Sequence, residues 1–215
     1  RQGVDMVALS FVRCAEDIVS VREIVASAGY DVPLIAKIEK HEALEAIDDI
    51  TSVVDGLMIA RGDLGVEIPI EHIPRNQKML IDKANQAGIP VITATQMLKS
   101  MVDSPRPTRA EVTDVANAVL GGTDAVMLSE ETAVGSYATE AVRLMGRVAI
   151  STEEIFPYRA WTSRYNDVDI TRQSRAAVAH AACQLAEETE AAAVITCTQS
   201  GSTARQVARY RPAQP

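Results

Sequence analysis

Short apolar runs alternate with amphipathic stretches along most of this chain, and that alternation limits its fold more than any other feature. Val4–Phe11, Leu34–Glu39, Gly56–Ala60, Pro90–Thr95 and Asp124–Leu128 read as strands. Cys14–Gly29 sets Ile18, Val21, Val25 and Ala28 on one helical face and closes on a glycine, a common helix terminator. Glu42–Ile50, Pro74–Ala87 and Tyr137–Ile150 read as further helices, and residues 61–73 as a long polar connection containing proline. Thr108-Arg109-Ala110-Glu111 has the form of a capping box opening a helix to Leu120.

Strands separated by helices run parallel, because each helix carries the chain back to the starting edge of the sheet. A closed (β/α)8 barrel and an open doubly wound sheet both meet that condition. Strand after strand ends in polar residues: Ser10, Lys37 and Glu39, Arg61 and Asp63, Thr95 and Gln96, Ser129 and Glu131. A barrel collects its site from many strand ends, whereas an open sheet concentrates it at one switch point. The expected fold class is therefore α/β, a partial (β/α)8 TIM barrel of about five βα units. The pattern loosens from Glu153 to Ile170. An Ala-rich helix to about Glu188, a strand Ala192–Cys197 and a helix opened by Gly201 then read as the start of a second α/β domain. The expected domains are 1–165 and 166–215. The chain opens on Arg1 and stops at Pro215 just after a helix, so both ends read as cuts.

The net charge of −8, with no Lys/Arg stripe interleaved with aromatics, argues against a nucleic-acid partner. No apolar run approaches the roughly 20 residues of a membrane span. Cys14, Cys183 and Cys197 are scattered and odd in number, which points to a reducing cytoplasm and not to a disulfide framework.

Lys37 and Glu39 lie two apart on a strand and face one side, the interior in a barrel. They read equally well as a structural ion pair or as catalytic groups. Asp63 follows the next strand in ARGDLG, where Gly62 and Gly65 permit close backbone approach to a ligand. Two carboxylates at neighbouring strand mouths suit Mg²⁺ (or Mn²⁺), and a lysine beside them suits a reacting anion; an ion-pair network is the alternative. Thr95-Gln96 and Ser129–Thr132 offer hydroxyls for a carboxylate or a proton relay, or serve as helix caps.

The segments DMVALSFVR, IAKIEKHEAL, DGLMIARGDLGVEIP, QKMLIDKANQAGIPVITATQMLKSM, PRPTRAEVTDVANAVLGGTDAVMLSEETAVG and SGSTARQVARYRP resemble pyruvate kinases, in family order and spacing across nearly the whole chain. The resemblance implies the last five βα units of the catalytic barrel and phosphoryl transfer from phosphoenolpyruvate to ADP, giving pyruvate and ATP in glycolysis. It implies that Lys37 neutralises the phosphoryl group and the enolate, and that Glu39 and Asp63 hold the divalent metal. The backbone at Ala60, Arg61 and Gly62 matches the cradle for the substrate carboxylate, which Thr95 also binds on the proton-delivery side. Ser10 and Phe11 flank the substrate, and Glu131 belongs to the proton-relay neighbourhood. Thr198, Ser200, Gly201, Ser202 and Thr203 resemble the loop that binds an effector phosphate at a helix N-terminus; an N-cap plus a loop is the plainer reading. The family implies K⁺ as well, held by ligands outside this chain, and a homotetramer when complete. The sequence departs from the pattern SGETAKG at Glu130 and Val134, where many members carry Gly and Lys. A metal-dependent aldolase or lyase of the phosphoenolpyruvate/pyruvate barrel group is the alternative enzyme class, and a non-catalytic fragment the alternative outside enzymes.

Overall fold

A computed structural model describes residues 3–164 and 174–214 of the 215-residue chain. They fall into two compact units, Arg1–Ile155 and Phe156–Pro215. The boundary expected near residue 165 lies outside the described residues.

The first unit is built on β1 (Val7–Leu9), β2 (Leu34–Ile38), β3 (Gly56–Ala60), β4 (Val91–Ala94) and β5 (Ala125–Met127), all parallel and in the order β1-β2-β3-β4-β5. The register pairs Leu9 with Ala36, Ile38 with Ile59 and Ala60 with Ala94, so the C-terminal strand ends line up along one edge. Alternate residues of each strand meet different surroundings. Leu34, Ala36, Ile38, Leu57, Ile59 and Val91 pack with Ile18, Ile50, Leu80 and Ile81 from the helices. Ile35, Met58, Ala94, Ile92 and Met127 cluster instead with one another, on the opposite face. Helices therefore cover one face, and strands follow one another without reversal. A doubly wound sheet would show neither property, whereas a stretch of barrel wall shows both.

The connections are α1 (Ala15–Ser27), α2 (His41–Glu45), α3 (Ile47–Val53), α4 (Arg61–Glu67), α5 (Ile73–Ala87), α6 (Arg109–Gly121), α7 (Glu130–Ala133) and α8 (Ala138–Glu153). Strand β3 matches the sequence expectation residue for residue, and α6 carries the expected capping box, Thr108 and Glu111 each bonding the other's backbone N–H. Helices α5 and α6 both end in Schellman turns at Gly88 (φ 70°) and Gly122 (φ 91°), a conformation that glycine adopts without Cβ strain.

Three segments differ from expectation. Residues 61–67 are the helix α4 rather than an extended polar connection; Leu64, fully buried, anchors that turn despite the flanking glycines. The single helix expected over Glu42–Ile50 breaks at Ala46 into α2 and α3. Residues 192–197 of the second unit form no strand. A strand requires a hydrogen-bonded neighbour, and Ile195, which would pack against one, stays 90% exposed. That unit consists of α9 (Tyr158–Ser163), α10 (Ser174–Glu188) and α11 (Ser202–Arg209), with Tyr210 buried and donating its hydroxyl to Ala176 O at 3.1 Å. No helix among the described residues is long and apolar enough to cross a membrane.

Candidate active site at the strand ends

Lys37 stands on the face of β2 that carries Ile35, and Glu39, two residues on, follows it just past the strand end. Glu39 is 1% exposed, and both its oxygens are engaged: Oε1 lies 2.6 Å from Lys37 Nζ, and Oε2 accepts the Phe11 N–H at 2.7 Å. Lys37 Nζ also donates to Ser10 Oγ at 2.9 Å. The turn after β1 and the end of β2 are thus joined through one lysine and one carboxylate. Phe11 adopts φ 57° to make its contact, a left-handed conformation costing a non-glycine residue about 1–2 kcal/mol. A buried carboxylate that holds such a turn in place offsets that cost.

Asp63 sits in the first turn of α4, directly behind β3. It is exposed and makes no ion pair or hydrogen bond among the described residues. Its neighbour Gly62 donates its N–H to Thr95 Oγ1 at 2.7 Å, and that hydroxyl donates to Ala94 O at 2.6 Å. Thr95 (φ 69°) and Gln96 (φ 54°) are successive left-handed residues, a strained corner at the end of β4.

The Arg61 side chain, buried, braces that corner. It donates to Thr95 O at 2.8 Å, to Asp114 at 2.7 Å, and at longer range to Gln77 Oε1 (3.3 Å) and Ala94 O (3.4 Å). Its guanidinium is fully committed to protein groups, and any ligand contact from Arg61 falls to its backbone. Ala60, beside it, is buried. Asp114 and Gln77 escaped the sequence reading; each bonds to Arg61 from a separate helix, which no local pattern discloses.

Glu131, expected near a proton path, is fully buried, its carboxylate accepting the backbone N–H groups of Leu98 (3.0 Å) and Ser129 (2.8 Å). It fastens the segment after β4 to the turn after β5, a positioning arrangement. Glu130 pairs with Lys99, and Val134 is largely exposed. Thr198, Ser200, Gly201, Ser202 and Thr203 lie in the second unit, where Gly201 (φ 74°) leads into α11, whose N-terminus has no side-chain cap.

Next to Glu39, Lys40 reaches Glu67 at 2.6 Å and stands 5.8 Å from the Phe11 ring centroid. The Glu67 hydrogen bond raises the Lys40 pKa, and hydrogen bonds from Lys40 and His41 lower that of Glu67. His41, Glu42 and Glu67 bring three ligand atoms within 4.8 Å of one another, the only such group among the described residues. Glu39 and Asp63 offer a different donor set. Carboxylate oxygens are the ligands a hard divalent cation prefers, each Glu39 oxygen retains a lone pair beyond its present partner, and Asp63 is uncommitted. The residues fit Mg²⁺ or Mn²⁺.

Residues 1–142 match the family model described as pyruvate kinase, barrel domain, and residues 176–215 the one described as pyruvate kinase, alpha/beta domain. The chain belongs to the pyruvate kinase family. It is 55% identical over its whole length to pyruvate kinase 2 of Synechocystis sp., of which it covers 35%, and 50% identical to the pyruvate kinase of Geobacillus stearothermophilus, of which it covers 37%. The crystal structure of a Cryptosporidium parvum pyruvate kinase superposes with a TM-score of 0.92 at 44% identity, over 99% of this chain and 45% of that one. The chain thus spans between about a third and just under half of the length of these pyruvate kinases. Its five parallel strands are part of the family's barrel domain, and the second unit begins the alpha/beta domain.

Proposed function

We propose that this chain supplies the metal- and phosphoryl-binding side of a pyruvate kinase site, moving a phosphoryl group from phosphoenolpyruvate to ADP. The observation supporting this reading is the buried Glu39, fixed by Lys37 and the Phe11 N–H, on the same sheet edge as the uncommitted Asp63. In the reaction the bond between phosphorus and the enol oxygen breaks, a bond to an ADP oxygen forms, and the resulting enolate takes a proton at carbon to give pyruvate.

Lys37 meets the charge that grows as the phosphoryl group leaves, so its ammonium acts mainly on the transition state. Ser10 and Glu39 hold that ammonium in place. The backbone at Ala60, Arg61 and Gly62 receives the substrate carboxylate together with Thr95, which stands on the protonation side, and Ser10 and Phe11 wall the substrate. Glu39 and Asp63 hold Mg²⁺ or Mn²⁺, which neutralises phosphate and enolate oxygens when bound. Glu131 serves the proton-delivery region by keeping the loops after β4 and β5 together. K⁺ is held by residues outside this chain. The complete protein is a cytoplasmic homotetramer acting in glycolysis, with no nucleic-acid or membrane partner, and divides near residue 165. In its second domain, Thr198, Ser200, Gly201, Ser202 and Thr203 receive an effector phosphate.

Mn²⁺ binding followed by electron paramagnetic resonance tests the metal assignment. Glu39→Gln or Asp63→Asn is expected to weaken binding at least tenfold, and Glu67→Gln to leave it within about twofold. Binding that survives both of the first two changes and disappears in Glu67→Gln would place the ion on the His41 cluster and defeat the reading.

A further inference from the structure

His41 and Glu42 open α2, and Glu67 closes α4, so two elements that follow the neighbouring strands β2 and β3 meet at one point. His41 Nδ1 lies 3.2 Å from Glu42 Oε2 and 3.4 Å from Glu67 Oε2. As a plain ion-pair network this group is one donor short. Lys40 Nζ occupies the other Glu67 oxygen, Oε1, at 2.6 Å. Nδ1 carries at most one hydrogen, and its hydrogen-bond contact is with Glu67 Oε2. Glu42 Oε2 is left buried with no hydrogen-bond partner, and a desolvated carboxylate oxygen without a donor is costly.

A divalent cation removes that deficit. Four-coordinate zinc holds nitrogen and oxygen ligands at about 2.0–2.2 Å, so the edges of its tetrahedron measure roughly 3.3–3.5 Å. Both distances from Nδ1 fall close to such an edge, and the three ligand atoms all lie within 4.8 Å of one another. The His41 side chain is half-exposed, which gives an ion a path from solvent.

We propose that His41 Nδ1, Glu42 Oε2 and Glu67 Oε2 form a site for a zinc-class divalent cation, with water in the fourth position. Imidazole suits zinc, whereas Mg²⁺ takes oxygen ligands and Mn²⁺ stands at the weak end of the affinity order, so this site and the pair Glu39 and Asp63 select different ions. The Lys40 ammonium lowers the affinity but takes neither of the oxygens that face Nδ1. Bound zinc joins the segment after β2 to the end of α4. None of the three ligands has a part in the phosphotransfer reading, and the proposal stands independently of it.

Zinc binding to the full chain, measured by competition with a chromophoric chelator in excess Mg²⁺, tests the proposal. A single bound ion is expected. His41→Gln and Glu67→Gln should each weaken it about tenfold or more, and Glu39→Gln should leave it within about twofold. Cobalt(II) in place of zinc reports the ligand type. Its visible spectrum should be that of a four-coordinate nitrogen and oxygen site, without the charge-transfer band of a thiolate from Cys14 or Cys197. Should His41→Gln lose its circular dichroism spectrum, Glu42→Gln replaces it, with the same loss expected. Absence of zinc binding, equal weakening by Glu39→Gln, or a thiolate band in the cobalt spectrum would overturn the proposal.

Discussion

Replacing Arg61 with lysine separates two accounts of the ARGD segment, one in which the guanidinium braces the Thr95 corner and one in which it is held ready for a ligand. The side chain makes three short bonds, to Thr95 O at 2.8 Å, Asp114 at 2.7 Å and Met97 Sδ at 2.7 Å, and two longer ones, to Gln77 and Ala94. A lysine ammonium satisfies one of these directions well and leaves the others unpaired in a buried place. Losing one neutral and one charge-assisted bond, at about 1 and about 2 kcal/mol, sets the expected destabilisation of Arg61→Lys near 3 kcal/mol. Asp114→Asn keeps a hydrogen bond, and the Asp114 side chain is 36% exposed, so screening limits its loss to about 1 kcal/mol. Urea unfolding of the first unit measures both changes. Amide hydrogen exchange at Gly62, whose N–H is held by Thr95 Oγ1, reports on the corner itself and should accelerate more in Arg61→Lys than in Asp114→Asn. If Arg61→Lys alters the unfolding midpoint by less than about 0.5 kcal/mol and leaves Gly62 exchange unchanged, the bracing argument is wrong.

Burial raises the Glu111 pKa, but hydrogen bonds from Ser100 and Thr108 outweigh it and hold the carboxyl below its ordinary value of 4.5. The folded state therefore binds that proton less readily than the unfolded chain, so the contribution is complete above about pH 4.5 and disappears as pH falls through the lower folded value. Glu111→Gln should lower stability by about 1 kcal/mol at pH 7, with the difference from the parent shrinking in acid-unfolding curves below that point. In the second unit, burial pushes the Cys183 thiol up to about 11, whereas Cys197 is exposed. Iodoacetamide at pH 8 should modify Cys197 in the native chain and leave Cys183 unmodified, as mass spectrometry of the peptides will determine.

The βα alternation was legible because it rests on local signals: apolar runs of strand length, a capping box at Thr108 and the glycine at position 29 that closes the first helical stretch. Polar strand ends brought Lys37, Glu39, Asp63 and Thr95 to attention for a reason the parallel register makes plain, since every C-terminal end reaches the same edge. Long-range features stayed hidden. Arg61 reads as part of a loop, yet its partners lie 16 to 53 residues away. Glu131 reads as one more strand-end acid, and only its burial against the Leu98 and Ser129 amides gives it a holding role. Helix α4 was missed because its two glycines weigh against helix locally, while the packing of Leu64 decides for it. Residues 192–197 have strand composition without a paired strand among the described residues, and composition alone does not supply one.

The central claim is that Lys37, Glu39, Asp63 and Thr95 form the working half of a phosphotransfer site that needs the rest of a pyruvate kinase to turn over. Transplanting the chain into Synechocystis pyruvate kinase 2, in place of the 35% of that enzyme it matches, tests the claim with one assay, ATP formation from phosphoenolpyruvate and ADP. The account predicts turnover in the chimera and none from the isolated chain, because positioning is most of what such a catalyst contributes. It further predicts that Lys37→Met in the chimera lowers kcat by at least about a thousandfold with a much smaller change in KM. A folded chimera whose kcat is unchanged by Lys37→Met would contradict it.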